Sequence, residues 1–122
     1  MTLEESLYSA ISGYPALKGI QSYINVAGNS ANFPYIVSTL VSGYGNESYT
    51  LSGESLIKTR WQIDTYSNDA LQAIATGNNI IKCLEQSFGA VCINKQNSFE
   101  KVTVSGVVQI THRTLLEFSI WM

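Results

Sequence analysis

The sequence predicts an α+β fold, in which a mostly antiparallel sheet carries one long helix packed on one face and a short N-terminal helix precedes the sheet. Three observations predict it: segments with strand-like alternation, one long helical segment and one short helical segment. Several segments alternate apolar and polar residues, and they lie on both sides of one long segment with helical periodicity. A shorter helical pattern opens the chain. Because 45% of the 122 residues are hydrophobic, we expect one domain with a single core over residues 1–122.

The first helix is predicted over residues 2–12. Thr2 and Glu5 have the spacing of a capping box, in which the N-terminal side chain accepts a hydrogen bond from a free backbone N–H. Gly13 is predicted as the left-handed residue that ends this helix, and Pro15 prevents its continuation.

Strands are predicted where β-branched and aromatic residues alternate with other residues. In the last segment Leu116, Phe118 and Ile120 share one face. A strand this apolar is expected inside a sheet, because an exposed edge of this kind would aggregate. Gly106 is predicted as a bulge or bend within its strand. The predicted strands cover residues 20–26, 34–42, 56–66, 90–95, 99–110 and 114–122.

The long helix is predicted to begin at Ser67 as N-cap, with Asp69 in its positive first turn, and to end at Gly89. Gly77 in mid-helix costs about 1 kcal/mol relative to alanine, which a close approach of the helix to the sheet would explain. A break of the helix at residues 76–79 is the alternative. The predicted apolar stripe comprises Ala70, Ile74, Gly77, Ile81, Leu84 and Phe88.

One predicted strand has a polar face that meets either solvent or a partner. Its apolar face carries Trp61, Ile63 and Thr65. The opposite face carries Lys58, Arg60, Gln62, Asp64 and Tyr66.

Carboxylates on neighbouring strands could meet on this polar face. Asp64 and Glu117 would then form a pair of acids across the sheet. Salt links from these carboxylates to Lys58, Arg60 or Arg113 on the same face are the favoured interpretation, because opposite charges are the common cross-strand pairs.

The composition points to assembly rather than to nucleic-acid reading. Only 13% of the residues are charged, against about 25% in an average soluble domain, and seven are tyrosines. This favours a surface partly covered by other subunits. The net charge of −2 and the dispersed basic residues argue against groove-reading nucleic-acid binding. We expect no membrane span and no export signal, and therefore a location in the cytoplasm of the producing cell.

The sequence offers little catalytic chemistry. Cys83 and Cys92 lack the basic or helix-N-terminal surroundings that activate a thiol, and His112 is the single histidine. Both cysteines are expected to be reduced and buried, with a disulfide between them as the alternative. We predict no enzyme, no cofactor and no metal site.

Three segments occur in a defined order: "FPYIVSTLVSG" (33–43), "RWQIDTYSNDALQAIATGNNIIKCL" (60–84) and "HRTLLEFSIWM" (112–122). Together with the capped first helix, they resemble the tail-completion, or head-to-tail joining, proteins of long-tailed bacteriophages, which include the tail terminators. The resemblance departs at Glu117, where aspartate is expected. Residues 43–55 are also longer and richer in glycine than expected.

The resemblance implies a structural virion protein that forms a ring, usually a hexamer. Such a ring ends the tail tube, meets the head connector or neck protein, and leaves a central channel through which genomic DNA passes unread. The implied partners are therefore a second copy, the major tail tube protein and the connector. Alternatives are another neck or minor tail component of similar fold and, in a different class, a small intracellular domain that binds a ligand.

Interface residues are predicted in two places, in residues 43–55 and on the polar face of the sheet. Residues 43–55 contain three glycines and read either as a flexible loop or as the open end of a hairpin. We predict a mobile arm there that orders against a neighbouring ring, with an ordinary surface loop as the alternative. The predicted interface residues are Tyr44, Tyr49, Leu51, Lys58, Arg60, Asp64 and Arg113.

Overall fold

The computed structural model describes residues 2–28, 31–42, 48–51 and 54–122. It confirms the α+β class, with a short first helix and a long second one. The elements in chain order are α1 (Leu3–Gly13), β1 (Gln21–Ile24), β2 (Tyr35–Ser42), β3 (Ser48–Leu51), β4 (Glu54–Ser67), α2 (Ala70–Phe88), β5 (Val91–Val104) and β6 (Val107–Trp121), and a 3-10 turn at Pro15–Leu17 follows α1.

The strands form a sheet in the order β1-β2-β4-β6-β5, and β3 pairs with the beginning of β4. β1 and β2 are parallel, whereas every other pair is antiparallel. β6 lies between β4 and β5, which confirms that the apolar C-terminal strand is inside the sheet.

The core lies between one face of the sheet and the two helices. The predicted alternation is confirmed, because Trp61 and Ile63 of β4 and Leu116, Phe118 and Ile120 of β6 are all buried. They share one hydrophobic cluster with residues of both helices, so the helices lie on the same side of the sheet. The other side, here called the helix-free face, carries neither of them.

The start of α2 differs from the prediction. Asp69, not Ser67, is the N-cap, and its carboxylate accepts a hydrogen bond from the N–H of Leu71 at 3.1 Å. Ser67 is still part of β4, where it pairs with His112 of β6. Cross-strand pairing therefore holds Ser67 in the sheet and delays the helix by two residues. Gly89 ends α2 with a φ of 63°, as predicted, and no break interrupts the helix.

The buried stripe of α2 is rotated relative to the predicted one. Gly77 and Leu84 are buried as expected, but Ile74 and Ile81 are only half-buried. Two residues that the predicted stripe leaves out, Thr76 and Cys83, are buried on α2 because their polar groups are hydrogen-bonded there. Thr76 donates to the carbonyl of Gln72 at 2.8 Å, and the Cys83 thiol donates to the carbonyl of Ala10 at 3.4 Å. The buried residues are Ala73, Thr76, Gly77, Ile80, Cys83 and Leu84.

The end of α1 also differs from the prediction. Thr2 caps the helix by accepting from the N–H of Glu5 at 3.1 Å, as expected. Gly13, however, is the last helical residue, and Tyr14 follows in an extended conformation with a φ of −76°. The helix therefore ends without a left-handed residue, and Pro15 opens the 3-10 turn instead.

Gly77 is the point of close approach between helix and sheet, as predicted. A Cβ added there would lie 3.0 Å from Cγ2 of Thr114 on β6. Replacing Gly77 with valine is therefore expected to lower the free energy of unfolding by about 1–3 kcal/mol through overpacking. Gly13→Val is the control, because a Cβ at Gly13 meets nothing within 4 Å. Urea unfolding of both variants measures the difference, and equal losses would contradict the close packing.

Candidate assembly surface

β5 and β6 form one long hairpin that extends past the rest of the sheet. Their pairing runs from Val91 opposite Ser119 to Val104 opposite Val107. The pairing of β6 with β4 ends earlier, at Ser67 opposite His112. Residues 99–111, here called the hairpin arm, therefore begin level with the last residue of β4 and continue beyond it as a two-stranded ribbon.

The turn of this hairpin corrects two predictions. The segments predicted as separate strands at residues 90–95 and 99–110 belong to one strand, β5, and to the beginning of β6. Gly106 is not a bulge, since Ser105 and Gly106 form the two-residue turn, with φ values of 52° and 78°. Two successive positive φ values are typical of the type I′ turn, whose twist matches that of paired strands. The irregularity of β5 lies instead between Cys92 and Asn94.

The hairpin arm exposes large apolar side chains. Phe99 is 63% exposed, and Val107 and Val108 are each 60% exposed. Val102 and Ile110 are also exposed. A two-stranded hairpin is at best marginally stable alone in water, and concentrated exposed apolar surface marks an interaction site. The arm is therefore the strongest candidate for an assembly contact in the described part of the chain.

The two sides of the arm differ in chemistry. Cross-strand register pairs Phe99 with His112, Lys101 with Ile110 and Thr103 with Val108. By the alternation of the strands, these residues continue the helix-covered face of the sheet. Glu100 lies on the opposite side of the arm. One side thus combines three apolar residues with a single positive charge.

The helix-free face holds an ion pair in which only the carboxylate is buried. Asp64 is only 4% exposed, although no helix covers it. Nε and Nη2 of Arg113 each lie 2.9 Å from its Oδ1, and Gln62 donates to Oδ2 at 3.1 Å. Arg113 lies opposite Tyr66 in the register, and its guanidinium carbon is 5.9 Å from the centre of that ring. Two predicted interface residues therefore stabilise the face itself.

A second, weaker ion pair lies nearby. Arg60, whose side chain is 55% exposed, approaches Glu117 at 3.8 Å. Asn94 of β5 donates to the same carboxylate at 3.2 Å. Each acid of the suspected pair, Asp64 and Glu117, thus has its own arginine, which confirms the salt-link interpretation. Lys58 is exposed at the end of the same face, opposite Trp121.

A row of stacked aromatic rings crosses the helix-free face, and sequence reasoning did not predict it. Tyr35 of β2 lies opposite Tyr66 of β4, and their ring centres are 4.9 Å apart. Phe33 stacks on Tyr35 at 5.6 Å, and Tyr23 meets it edge-on at 6.2 Å. Burial raises the pKa of Tyr35 and Tyr66 above the usual value, and the charge of Asp64 contributes at Tyr66. Both phenols therefore stay neutral at physiological pH.

The predicted arm at residues 43–55 is tested only in part. The backbone of β3 pairs with β4, from Ser48 opposite Ile57 to Leu51 opposite Glu54. Of the two predicted alternatives, this pairing favours the hairpin over the loop. Tyr44 and the side chains of Tyr49 and Leu51 lie outside the described part of the structure. Ordering of this segment on docking stays a prediction.

The described residues show little that suggests reaction chemistry. Among them, no group of three or more histidine, cysteine, aspartate or glutamate residues is placed to hold a metal ion. Cys83 is buried, Cys92 is half-buried, and both are free thiols. Burial raises the pKa of each thiol, so neither is activated as a nucleophile. No helix in the described ranges is long and apolar enough to cross a membrane.

Comparisons with known proteins find similarity to solved structures. No protein-family model matches the chain. No curated protein sequence matches it either. The fold is similar to that of a chain in a structure described as the virion of a native gene transfer agent particle. The TM-score is 0.46 and the sequence identity 11%, over 98% of this chain and 93% of that chain.

Proposed function

We propose that this is a structural virion protein that self-associates into a ring and terminates the tail tube of a long-tailed phage. The hairpin arm is the observation that carries the proposal. Its exposed Phe99, Val107 and Val108 provide the apolar surface that is typical of an interaction site, as expected of a protein that works by assembly. The ring, a hexamer in our proposal, binds the major tail tube protein on one side and the head connector or neck protein on the other.

The placement of the three resembling segments supports this proposal. Residues 33–43 include β2, residues 60–84 include most of α2 and the end of β4, and residues 112–122 include most of β6. β2, β4 and β6 are neighbours in the sheet, and α2 packs on β4 and β6. Segments that are far apart in sequence therefore form one contiguous structural unit.

The proposal assigns no catalytic role and no cofactor to the chain. DNA passes through the ring without sequence recognition, because the seven basic residues are few and dispersed. The protein would act in the virion, at the neck, after a period in the host cytoplasm before assembly. The ordered contacts of the helix-free face suit a preformed surface for a neighbouring ring.

Purified protein added to growing tail tubes of its own phage tests the proposal. We expect light scattering to detect self-association, and electron microscopy to show capped tubes that add no further tube protein. A test variant carries Val107→Asn and Val108→Asn, which remove exposed apolar groups of the arm. This variant should cap poorly while retaining its fold. A strict monomer that leaves tube growth unchanged would overturn the proposal.

A further inference from the structure

The sheet edge opposite the hairpin arm carries a groove of complementary chemistry. α1 and β1 border an open groove of about 320 Å³ there. Tyr8, which is 45% exposed, and Ile24 supply apolar surface. Glu5 is exposed and Glu4 half-buried, and neither has an ion-pair partner among the described residues. The lining residues of this α1–β1 groove are Glu4, Glu5, Tyr8, Ser9 and Ile24.

The hairpin arm presents the matching set. On the side that continues the helix-covered face, Phe99, Val108 and Ile110 surround Lys101. Within the described residues, Lys101 has no acidic partner. The arm thus offers apolar surface around one positive charge, and the groove offers apolar surface beside two negative charges.

A single copy cannot join its own arm and groove. β1 lies at one end of the sheet order, and the arm strands β6 and β5 lie at the other. Because neighbouring strands are about 4.8 Å apart, β1 is about 14 Å from β6 and about 19 Å from β5. A contact between them must therefore involve two copies. Such a contact uses different surfaces on each partner, and its repetition gives a closed ring when the rotation closes.

We propose that the hairpin arm of one copy docks into the α1–β1 groove of the next, with Lys101 facing Glu4 and Glu5. The contact rests on the self-association in the proposed function and defines the two surfaces that carry it. Phe99, Val108 and Ile110 cover the apolar part of the groove, while the charges fix the orientation of the arm.

Charge reversal on each side of the contact tests this arrangement. One variant carries Lys101→Glu, and the other carries Glu4→Lys and Glu5→Lys. Each protein alone is expected to self-associate at least tenfold more weakly at low salt, as measured by sedimentation velocity. An equimolar mixture should regain association, because every contact in an alternating assembly then pairs opposite charges. Glu100→Lys, on the other side of the arm, is the matched control and should associate like the wild type.

The outcomes separate this proposal from the proposed function. Thermal unfolding of each variant first shows that its fold is intact. Wild-type protein that associates and caps tubes, with a groove variant that associates equally well, would overturn the arm-in-groove contact alone. Failure of the mixture to regain association would overturn it as well. Wild-type protein that neither associates nor caps tubes would overturn the proposed function itself.

Discussion

Replacing Phe118 with alanine is expected to lower the free energy of unfolding by about 3–5 kcal/mol. Phe118 is 1% exposed and lies on β6, between Trp61 of β4 and Cys92 of β5. Its removal leaves a cavity at the centre of the core, since the paired strands on both sides limit the collapse of the site. Chemical denaturation measures the loss.

Phe99→Ala is the matched control for this substitution. Phe99 lies in the same hairpin but is 63% exposed, so its removal should change the free energy of unfolding by less than about 1 kcal/mol. The substitution should nevertheless weaken self-association, because the phenyl group of Phe99 belongs to the proposed contact surface. Equal destabilisation by the two substitutions would show that the arm is packed against the body of the protein and is not free to bind a partner.

Local alternation was sufficient to predict the core of the sheet. Period-two patterns placed Trp61 and Ile63 on one face of β4 and Leu116 and Ile120 on one face of β6, and all four are buried. This succeeds because successive side chains of a strand point to opposite faces whatever the neighbouring strand is. The close approach at Gly77 was predictable for a similar reason, since a glycine on a buried helix stripe needs a packing explanation.

The features that failed depend on pairing between distant segments. Ser67 has the composition of an N-cap, but its pairing with His112 keeps it in β4. The aromatic row on the helix-free face arises because the register sets Tyr35 opposite Tyr66 and Tyr66 opposite Arg113. Register between separate strands is not visible in one sequence, so neither feature could be derived from local patterns.

The location of the exposed arm was missed for the same reason. Glycine and tyrosine content predicted an arm at residues 43–55, whereas the described chain exposes apolar side chains on the β5–β6 hairpin. The length of hairpin that extends beyond β4 depends on where the pairing of β6 with β4 ends. One local signal was present, because Ser105 and Gly106 lie between two β-branched runs and form a two-residue hairpin turn.

Replacing Arg113 with methionine is expected to lower the free energy of unfolding by about 2–3 kcal/mol. Loss of one partner from a fully buried ion pair typically costs about 3–5 kcal/mol, because the remaining charge is left buried. The smaller value applies here because the Arg113 side chain is 35% exposed, so water can partly replace it beside Asp64. Urea unfolding at neutral pH measures the change.

Arg60→Met is the control, because the Arg60–Glu117 pair is longer, at 3.8 Å, and its arginine is 55% exposed. An exposed pair of this kind contributes about 0–1 kcal/mol. Adding Asp64→Asn to Arg113→Met should recover stability, since a neutral amide needs no cation and can still bond to Gln62. If Arg113→Met costs no more than Arg60→Met, the pair is not what orders the helix-free face. The charged residues of the helix-free face would then be able to exchange their internal contacts for contacts with a neighbouring ring at little cost in stability.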